Sequence, residues 1–185
     1  MVYWYFTFRD SITQKTDQCL RSIITNLCSK RSDTPRELQE AYTDANDGQL
    51  SPSTACLMTI LNAVIDGFED IYIFLDALDE CPISGQAQER ERDDLLKAIG
   101  EICSWQKDSL HLFVTSRKEK DIEESFEELS IAQDNFQAIS VEGSHVEEDI
   151  NKYIQQKLNS RQFKSWKPDL KHEVGKKLGS QAEGM

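Results

Sequence analysis

A short apolar run that ends in a cluster of carboxylates constrains this chain more than any other feature of its sequence. Residues Ile71 to Leu75 are continuously apolar, and Asp76, Asp79 and Glu80 follow at once. An apolar run of this length, bounded by polar residues, is typical of a strand that is covered on both faces, as in a parallel sheet. Ligands bind at the carboxyl edge of such sheets, so the three acidic side chains become candidates for a functional site.

Carboxylates in this position can hold a divalent cation or orient a water molecule. Oxygen ligands of this kind suit Mg²⁺, and a nearby acidic group can orient an attacking water. Asp76 is therefore a candidate Mg²⁺ ligand, and Asp79 and Glu80 are candidate catalytic residues. The alternative is a buried strand that simply ends in solvated carboxylates. Because acidic groups this close together repel one another unless a cation is present, the cluster favours a cation site.

Apolar periodicity elsewhere predicts alternating strands and helices. Further strands are predicted over Val2 to Phe8, over Leu110 to Thr115 and, more weakly, over Phe136 to Val141. Apolar residues recur at helical spacing in five other segments: Leu20 to Leu27, Leu57 to Ile65, Leu95 to Cys103, Val146 to Leu158 and Leu170 to Leu178. The pattern predicts an α/β layered domain over residues 1–143 and the start of a helical subdomain over residues 144–185.

The composition argues against nucleic acid and membranes as partners. The 185 residues carry a formal net charge of −12 at pH 7, which repels phosphate backbones and anionic lipids. No apolar run approaches the roughly 18 residues of a membrane span. Five cysteines, with no C-x-x-C pair among them, indicate free thiols in a reducing compartment. The cytoplasm is therefore the expected location.

The acidic stretch and several other segments resemble fungal NACHT domains, which are STAND-class P-loop NTPases also described as nephrocystin-like N-terminal domains. Ile71 to Cys81 resembles the Walker B segment of that family, and Leu112 to Arg117 is similar to its sensor strand. Four more segments resemble its second strand, the helix after it and the start of its helical region: Tyr3 to Ser11, Leu20 to Ile24, Asp149 to Ile154 and Ala182 to Met185. The resemblance covers nearly the whole chain and implies a three-layer α/β/α fold.

The resemblance also implies a role for four side chains. Asp76 matches the acid associated with Mg²⁺, and Asp79 and Glu80 match the acidic pair beside the attacking water. Arg117 matches a sensor arginine that meets the terminal phosphate, a role suited to an always-charged guanidinium. Without the resemblance, an ordinary surface arginine after a strand is an equally good interpretation of Arg117. The implied cofactors are Mg²⁺ with ATP or GTP, and the implied activity of the complete family domain is nucleoside-triphosphate hydrolysis.

The phosphate-binding loop expected of such a domain is missing from the sequence. A P-loop has the pattern G-x-x-x-x-G-K-[ST] after a strand, and of the eight glycines only Gly175 precedes a lysine. Lys177 stands where Ser or Thr is required, and Leu170 stands where the first glycine is required. We therefore expect a fragment of the family domain, truncated before Met1 and after Met185, that binds neither ATP nor GTP by itself.

A specific strand order follows from the resemblance. It implies a parallel sheet in the order five, one, four, three, two, with strand one missing from this chain. We expect a three-stranded core of Val2 to Phe8, Ile71 to Leu75 and Leu110 to Thr115, in that order. Phe136 to Val141, as strand five, is expected to be displaced, poorly ordered or slipped against strand four. Unpaired backbone groups and open edges favour association, so the chain is expected to be marginally stable and to self-associate.

Three functional interpretations remain open at this point. The first is a fragment of a nucleotide-dependent oligomerisation switch, which in the family is joined to effector and repeat regions, for example ankyrin-type repeats. The second is an interaction or scaffold module without NTPase activity, derived from such a domain, whose partners are further copies or related NACHT proteins. The third is an unrelated α/β domain whose acidic cluster binds a divalent ion.

Overall fold

The computed structural model of the chain divides into two units, Met1–Phe136 and Gln137–Met185. Each is described by itself. The described residues are those at positions 1–45, 48–83, 91–133, 135–140 and 144–181.

A three-stranded parallel sheet organises the first unit. The strands are β1 (Val2–Tyr5), β2 (Ile71–Asp76) and β3 (Leu110–Val114). The order is β1-β2-β3, and in the register Ile73 of β2 lies beside Val2 on one side and Leu112 on the other. The expected strand order of the core is confirmed. The apolar run of the sequence is the central strand, hydrogen-bonded to a neighbour along both edges.

Five helices are described in the first unit, and three of them lie where the apolar periodicity predicts helices. They are α1 (Thr16–Cys28), α2 (Arg36–Asp44), α3 (Thr54–Ile65), α4 (Glu91–Ser104) and α5 (Lys120–Ala132). The start of α3 shows why the chain folds this way locally. The side chain of Ser53 accepts a hydrogen bond from the N–H of Cys56 at 3.3 Å, which caps the helix. The α/β fold class is confirmed, as part of an α/β/α arrangement.

One face of the sheet packs against the helices. Ile71, Ile73 and Leu75 alternate along β2 and are at most 3% exposed, as expected where every second side chain of a strand points the same way. They join one apolar core with buried side chains of α1, α3 and α4, among them Leu27 and Leu61. Each such side chain stabilises the fold by about 1.5–3 kcal/mol through burial. This core holds β2 in place under the candidate site.

The prediction of a strand over Phe136 to Val141 is wrong for the residues that the structure describes. Residues 136–140 form no strand, and Val141 lies outside the described residues. The N–H of Phe136 donates to the carbonyl of Gln133 at 3.3 Å, and its ring lies 6.1 Å from that of Phe126 on α5. A strand needs a neighbour for its backbone groups. This segment instead satisfies its first N–H in a local turn and its aromatic ring against a helix.

Two helices are described in the second unit, at positions where apolar periodicity predicts helices. They are α6 (Ser144–Leu158) and α7 (Pro168–Gln181), joined through a 3₁₀ turn at Arg161–Phe163. Leu158 is 4% exposed, and a Cβ added at Gly175 would lie 3.4 Å from its Cδ1 and 3.0 Å from Gln155 Nε2. The helices therefore pack closely where a glycine stands. Ala182 to Met185, part of the resemblance, lie outside the described residues.

Among the residues that the structure describes, none of the helices combines the length and the apolar character that crossing a bilayer requires.

Leu61→Ala should lower the free energy of unfolding by about 2–5 kcal/mol, because it removes a large apolar group from a filled core and leaves a cavity. Leu61 is 0% exposed. Ile131→Ala is the matched control, since Ile131 is 87% exposed and its truncation should change stability by less than about 0.5 kcal/mol. Urea denaturation measures both. Equal losses in the two variants would contradict the position of α3 in the core.

Candidate functional site

The carboxyl end of β2 turns sharply into a 3₁₀ helix, Leu78–Glu80, which carries two of the predicted acidic residues. Ala77 makes the turn with φ 58° and ψ 50°, a left-handed conformation that costs a residue with a Cβ about 1–2 kcal/mol. Two hydrogen bonds that Thr115 accepts hold the turn in this conformation. The N–H of Ala77 donates to the Thr115 hydroxyl and the N–H of Leu78 to the Thr115 carbonyl, both at 3.0 Å. We call residues 76–80 the acidic turn.

Asp76 lies at the carboxyl edge of the sheet, as the sequence predicts. Its carbonyl accepts a hydrogen bond from the N–H of Phe6 at 3.0 Å. Its carboxylate Oδ1 accepts a hydrogen bond from the hydroxyl of Thr115. The same hydroxyl also accepts the N–H of Ala77, so one threonine at the end of β3 orients both the carboxylate and the turn behind it.

Asp79 joins the acidic turn to the segment after β3. Its Oδ1 accepts a hydrogen bond from the backbone N–H of Arg117 at 3.1 Å, and its Oδ2 lies 3.6 Å from the Arg117 Nε. The Asp79 side chain is 9% exposed, whereas the Arg117 side chain is 73% exposed. The buried carboxylate therefore anchors Arg117 through the backbone and leaves most of the guanidinium in solvent. Two residues predicted separately from the sequence meet here.

Glu80 is held by the segment that follows β1. Its Oε2 accepts a hydrogen bond from the N–H of Phe8 at 2.9 Å, and its carbonyl accepts one from Gln14 Nε2 at 3.4 Å. Glu80 thus connects the acidic turn to the segment after β1, whereas Asp79 connects it to the segment after β3. The turn is fastened to the carboxyl ends of both neighbouring strands.

The three carboxylates do not converge on one point. Each has a separate donor: the Thr115 hydroxyl for Asp76, the Arg117 N–H for Asp79 and the Phe8 N–H for Glu80. Within the segments that the structure describes, no group of three or more His, Cys, Asp and Glu side chains is placed to hold a metal ion. Each of the three acidic side chains therefore has its own protein donor.

A cleft of about 390 Å³ opens beside the acidic turn. Asp79, Glu80 and Arg117 all line it, together with Phe8 from the segment after β1. Asp76 does not line this cleft. It borders a second hollow of about 270 Å³ with Thr115 and the aromatic residues on the far face of the sheet. The four predicted site residues are thus divided between two neighbouring surfaces, three on one and Asp76 on the other.

Arg92, on the first turn of α4, is a central residue of the site that the sequence did not reveal. It is 3% exposed. Its Nε donates to the Cys81 carbonyl at 2.8 Å and its Nη2 to the Asp79 carbonyl at 2.5 Å. Its Nη1 donates to Glu119 Oε2 at 2.5 Å and lies 3.3 Å from Asp121 Oδ2. One buried guanidinium therefore fixes both the acidic turn and the start of α5.

The charge of Arg92 is maintained by its two acidic partners. Burial by itself would lower the pKa of the guanidinium, because it disfavours the charged form. The hydrogen bond to Glu119 and the nearby charge of Asp121 act in the opposite direction, and the pKa of Arg92 is raised overall. Arg92 is thus a permanent cation beneath the acidic turn.

Cys81 is a packing residue at the end of the turn. It is 0% exposed, and burial raises the pKa of its thiol to about 12. The thiol donates a hydrogen bond to the Gln14 carbonyl at 3.3 Å. Because the thiolate is the reactive form of cysteine, these observations exclude Cys81 as a nucleophile near neutral pH.

Arg92→Met should lower the free energy of unfolding by about 3–5 kcal/mol, because it leaves the carbonyls of Asp79 and Cys81 without a donor and the partly exposed Glu119 and Asp121 without a cation. Arg92→Lys should be intermediate, since a lysine keeps the charge but lacks the planar fork. Arg36→Met is the matched control. Arg36 also pairs with a carboxylate, that of Glu40, but its side chain is 83% exposed. Chemical denaturation measures all three, and an Arg92→Met loss as small as that of Arg36→Met would contradict the network.

Comparison with known protein families assigns the part of the chain that contains this site. The family model described as "Nephrocystin 3, N-terminal" matches residues 1–117, a span that includes the three strands, the acidic turn and Arg117. Comparisons with curated proteins and with solved structures gave no match. The match covers more than half of the chain and confirms the resemblance to nephrocystin-like N-terminal domains. The chain belongs to the nephrocystin 3 N-terminal family.

Proposed function

We propose that this chain is part of a NACHT-type, STAND-class P-loop NTPase domain that acts as a nucleotide-dependent oligomerisation switch. The observation that supports this most directly is the link between the acidic turn and the segment after β3. The buried Asp79 carboxylate holds the backbone of Arg117, whose guanidinium lies mostly in solvent. In this proposal the acidic turn is the Walker B segment, and Arg117 is the sensor that meets the terminal phosphate of ATP or GTP.

The donors at the end of β2 suit Mg²⁺. The Asp76 carboxylate and the Thr115 hydroxyl are hard oxygen groups, and Mg²⁺ sites use one or two carboxylates with waters and phosphate oxygens completing the shell. Asp76 would hold the ion, directly or through water, and Thr115 would keep the carboxylate oriented. When bound, Mg²⁺ with ATP or GTP supplies the charge neutralisation that phosphoryl transfer requires.

The remaining residues would act on Arg117 and on water. Asp79 has Oδ1 on the Arg117 N–H and Oδ2 near its guanidinium, so it would position the sensor arginine for a phosphate. Glu80 accepts the Phe8 N–H with Oε2, and its other oxygen would accept a hydrogen bond from the attacking water. Because Glu80 lines the same cleft as Arg117, a water held there would lie on the side of the turn that Arg117 faces.

A second candidate is an interaction or scaffold module without NTPase activity. The observation in its favour is that all three carboxylates accept hydrogen bonds from protein donors. The sequence also contains no G-x-x-x-x-G-K-[ST] segment. Further copies of the chain or related NACHT proteins would be its partners. Both candidates place the protein in the cytoplasm, since its five free cysteines suit a reducing compartment.

The isolated chain should bind ATP and GTP negligibly, because the phosphate contacts of this class come mainly from a P-loop. Titration with a fluorescent ATP analogue in Mg²⁺ should show no saturable binding below about 1 mM, an affinity worth only about 4 kcal/mol. A micromolar Kd would show that this chain carries its own phosphate site and would contradict the proposed division of the nucleotide site.

In a longer version that carries a P-loop segment ahead of Met1, Glu80→Gln should reduce turnover on the order of 100-fold and change nucleotide binding little, as expected of a residue that acts on water. Asp76→Asn should also weaken Mg²⁺-dependent nucleotide binding. Asp70→Asn, before β2 at the far end of the strand and 64% exposed, is the control and should affect neither. If Glu80→Gln lost nucleotide binding and turnover equally, the role of Glu80 on water would be wrong. If the parent protein bound its partners but hydrolysed no nucleotide, the interaction or scaffold module would be favoured.

A further inference from the structure

The guanidinium of Arg117 lies in a cleft that also contains three carboxylates. Asp79, Glu80 and Glu119 line the same cleft of about 390 Å³, and the chain as a whole carries 33 acidic against 21 basic side chains. Yet the Arg117 side chain is 73% exposed, and its ion pair with Asp79 is a long one, 3.6 Å from Nε to Oδ2. Arginine among carboxylates commonly forms closer, two-pronged pairs. Some feature of the cleft therefore keeps its carboxylates from enclosing Arg117.

The three carboxylates of the cleft differ in what holds them. Asp79 and Glu80 each accept a backbone N–H group, at 3.1 Å and 2.9 Å. Glu119 instead depends on a side chain, because its Oε2 accepts a hydrogen bond from Arg92 Nη1 at 2.5 Å. Backbone donors are fixed by the fold, whereas a side-chain donor disappears with one substitution. The engagement of Glu119 thus rests on a single buried guanidinium.

Glu119 is well placed to compete for Arg117. It lies two residues further along the connection between β3 and α5, and its own backbone is extended, with φ −125° and ψ 141°. Side chains two positions apart on an extended chain point the same way, which agrees with the presence of both in one cleft. If Glu119 were released, a pair with Arg117 would require little more than rotation of the two side chains.

Arg92 holds Glu119 from a position that is itself fixed. Arg92 is 3% exposed, and its Nε and Nη2 donate to the carbonyls of Cys81 and Asp79. Because the guanidinium is a rigid planar fork, these two bonds direct Nη1 at Glu119, and it also lies 3.3 Å from Asp121 Oδ2. The carboxylate side chains of Glu119 and Asp121 are 34% and 36% exposed. Without Arg92 they would be two unpaired charges close to Arg117.

We propose that Arg92 is a positioning residue for Arg117: by binding Glu119 and Asp121 it prevents them from capturing the Arg117 guanidinium, which stays open to an oxyanion in the cleft. The inference rests on the proposed function, in which that oxyanion is the terminal phosphate of the nucleotide. Arg92 does not touch the phosphate in this arrangement. One arginine occupies the carboxylates, and the second arginine remains available to the ligand.

The reaction of Arg117 with phenylglyoxal, a reagent for accessible guanidinium groups, tests the proposal in the full chain. Peptide mass spectrometry gives its rate relative to that of Arg36 on α2, which is 83% exposed and serves as the internal reference. Arg92→Gln should lower the relative rate at Arg117 by about threefold to fivefold, the effect of a partly exposed ion pair with Glu119. Arg92→Lys should remain close to the parent, because lysine keeps the charge that binds Glu119.

Removal of the released carboxylates should restore the reactivity of Arg117. The triple variant Arg92→Gln/Glu119→Gln/Asp121→Asn should react at Arg117 like the parent, although Arg92 is still missing. A role of Arg92 in stability alone predicts no such recovery, since the triple variant has lost every ion pair of this network. Circular dichroism establishes that the compared variants are folded.

Ile83→Glu tests the same competition if Arg92→Gln does not fold. Ile83 lines the cleft and is 60% exposed, so the substitution adds a carboxylate that Arg92 does not hold. It should lower the rate at Arg117 by about threefold. Ile12→Glu is the matched control: Ile12 is also 60% exposed but is not among the residues that line the cleft, and its substitution should leave Arg117 unchanged.

Four results would overturn the proposal. They are a rate at Arg117 in folded Arg92→Gln that equals or exceeds that of the parent, an Arg92→Lys variant as slow as Arg92→Gln, a triple variant without recovery, and equal rates in Ile83→Glu and Ile12→Glu. None of these measurements involves a nucleotide, so the proposal can fail while Arg117 still acts as the sensor. The sensor role is tested separately by Arg117→Ala in the longer version, where unchanged turnover would refute the proposed function and leave these rates as they are.

Discussion

The position of each candidate functional residue depends on the hydrogen bonds that β2 makes to both of its neighbours. The pairing continues to the very end of the strand, where the Asp76 carbonyl accepts the N–H of Phe6 and the Leu75 carbonyl accepts the N–H of Thr115. The carboxyl ends of all three strands are therefore brought level with one another. Because β1 and β3 end beside the acidic turn, Phe8 and Arg117 can reach its carboxylates through their backbone N–H groups.

The buried guanidinium of Arg92, a cation that the protein itself supplies, stabilises the acidic turn. Arg92 does not pair with the acidic side chains of the turn; it binds the carbonyls of Asp79 and Cys81 and pairs with Glu119 and Asp121. This choice of partners affects the charge of the site. A guanidinium bonded to the carboxylates themselves would neutralise their charge, whereas one bonded to backbone carbonyls fixes the turn and leaves the carboxylates to their own partners. Removing a buried arginine that has four hydrogen-bonding partners is costly. Because two of these partners are the carbonyls of Asp79 and Cys81, Arg92 helps to keep the nearby Ala77 in its left-handed conformation.

Much of the fold could be predicted from the sequence, and the limits have physical reasons. Most strands and helices of the first unit follow from apolar periodicity, because they bury one side in the core, whereas α2 has no buried residue and shows no such pattern. The prediction of a strand at Phe136 failed although apolar and polar residues alternate there, because among the described residues no neighbouring strand completes its hydrogen bonds. Arg92 was missed because its acceptors lie 11 to 29 positions away, and in sequence it looks like the solvated first turn of a helix. Asp79 and Arg117 were found, but their contact depends on the pairing of β2 with β3.

The same apolar run that defines the central strand also places rings on the side of the sheet away from the helical core. That side carries Tyr3, Tyr5, Tyr72, Phe74, His111 and Phe113. A half-exposed strand would alternate apolar and polar residues, but in β2 the residues between Ile71, Ile73 and Leu75 are Tyr72 and Phe74. Such a strand is typical of sheets that are covered on both faces, and the described helices of the first unit bury only the isoleucine and leucine side. The aromatic side keeps large rings that would bury much apolar area if they were covered. Three tyrosine hydroxyls and an imidazole also allow these rings to remain in contact with water. One face of the sheet thus stabilises the fold within the chain, while the other keeps the apolar composition of a sheet face that is covered in α/β folds.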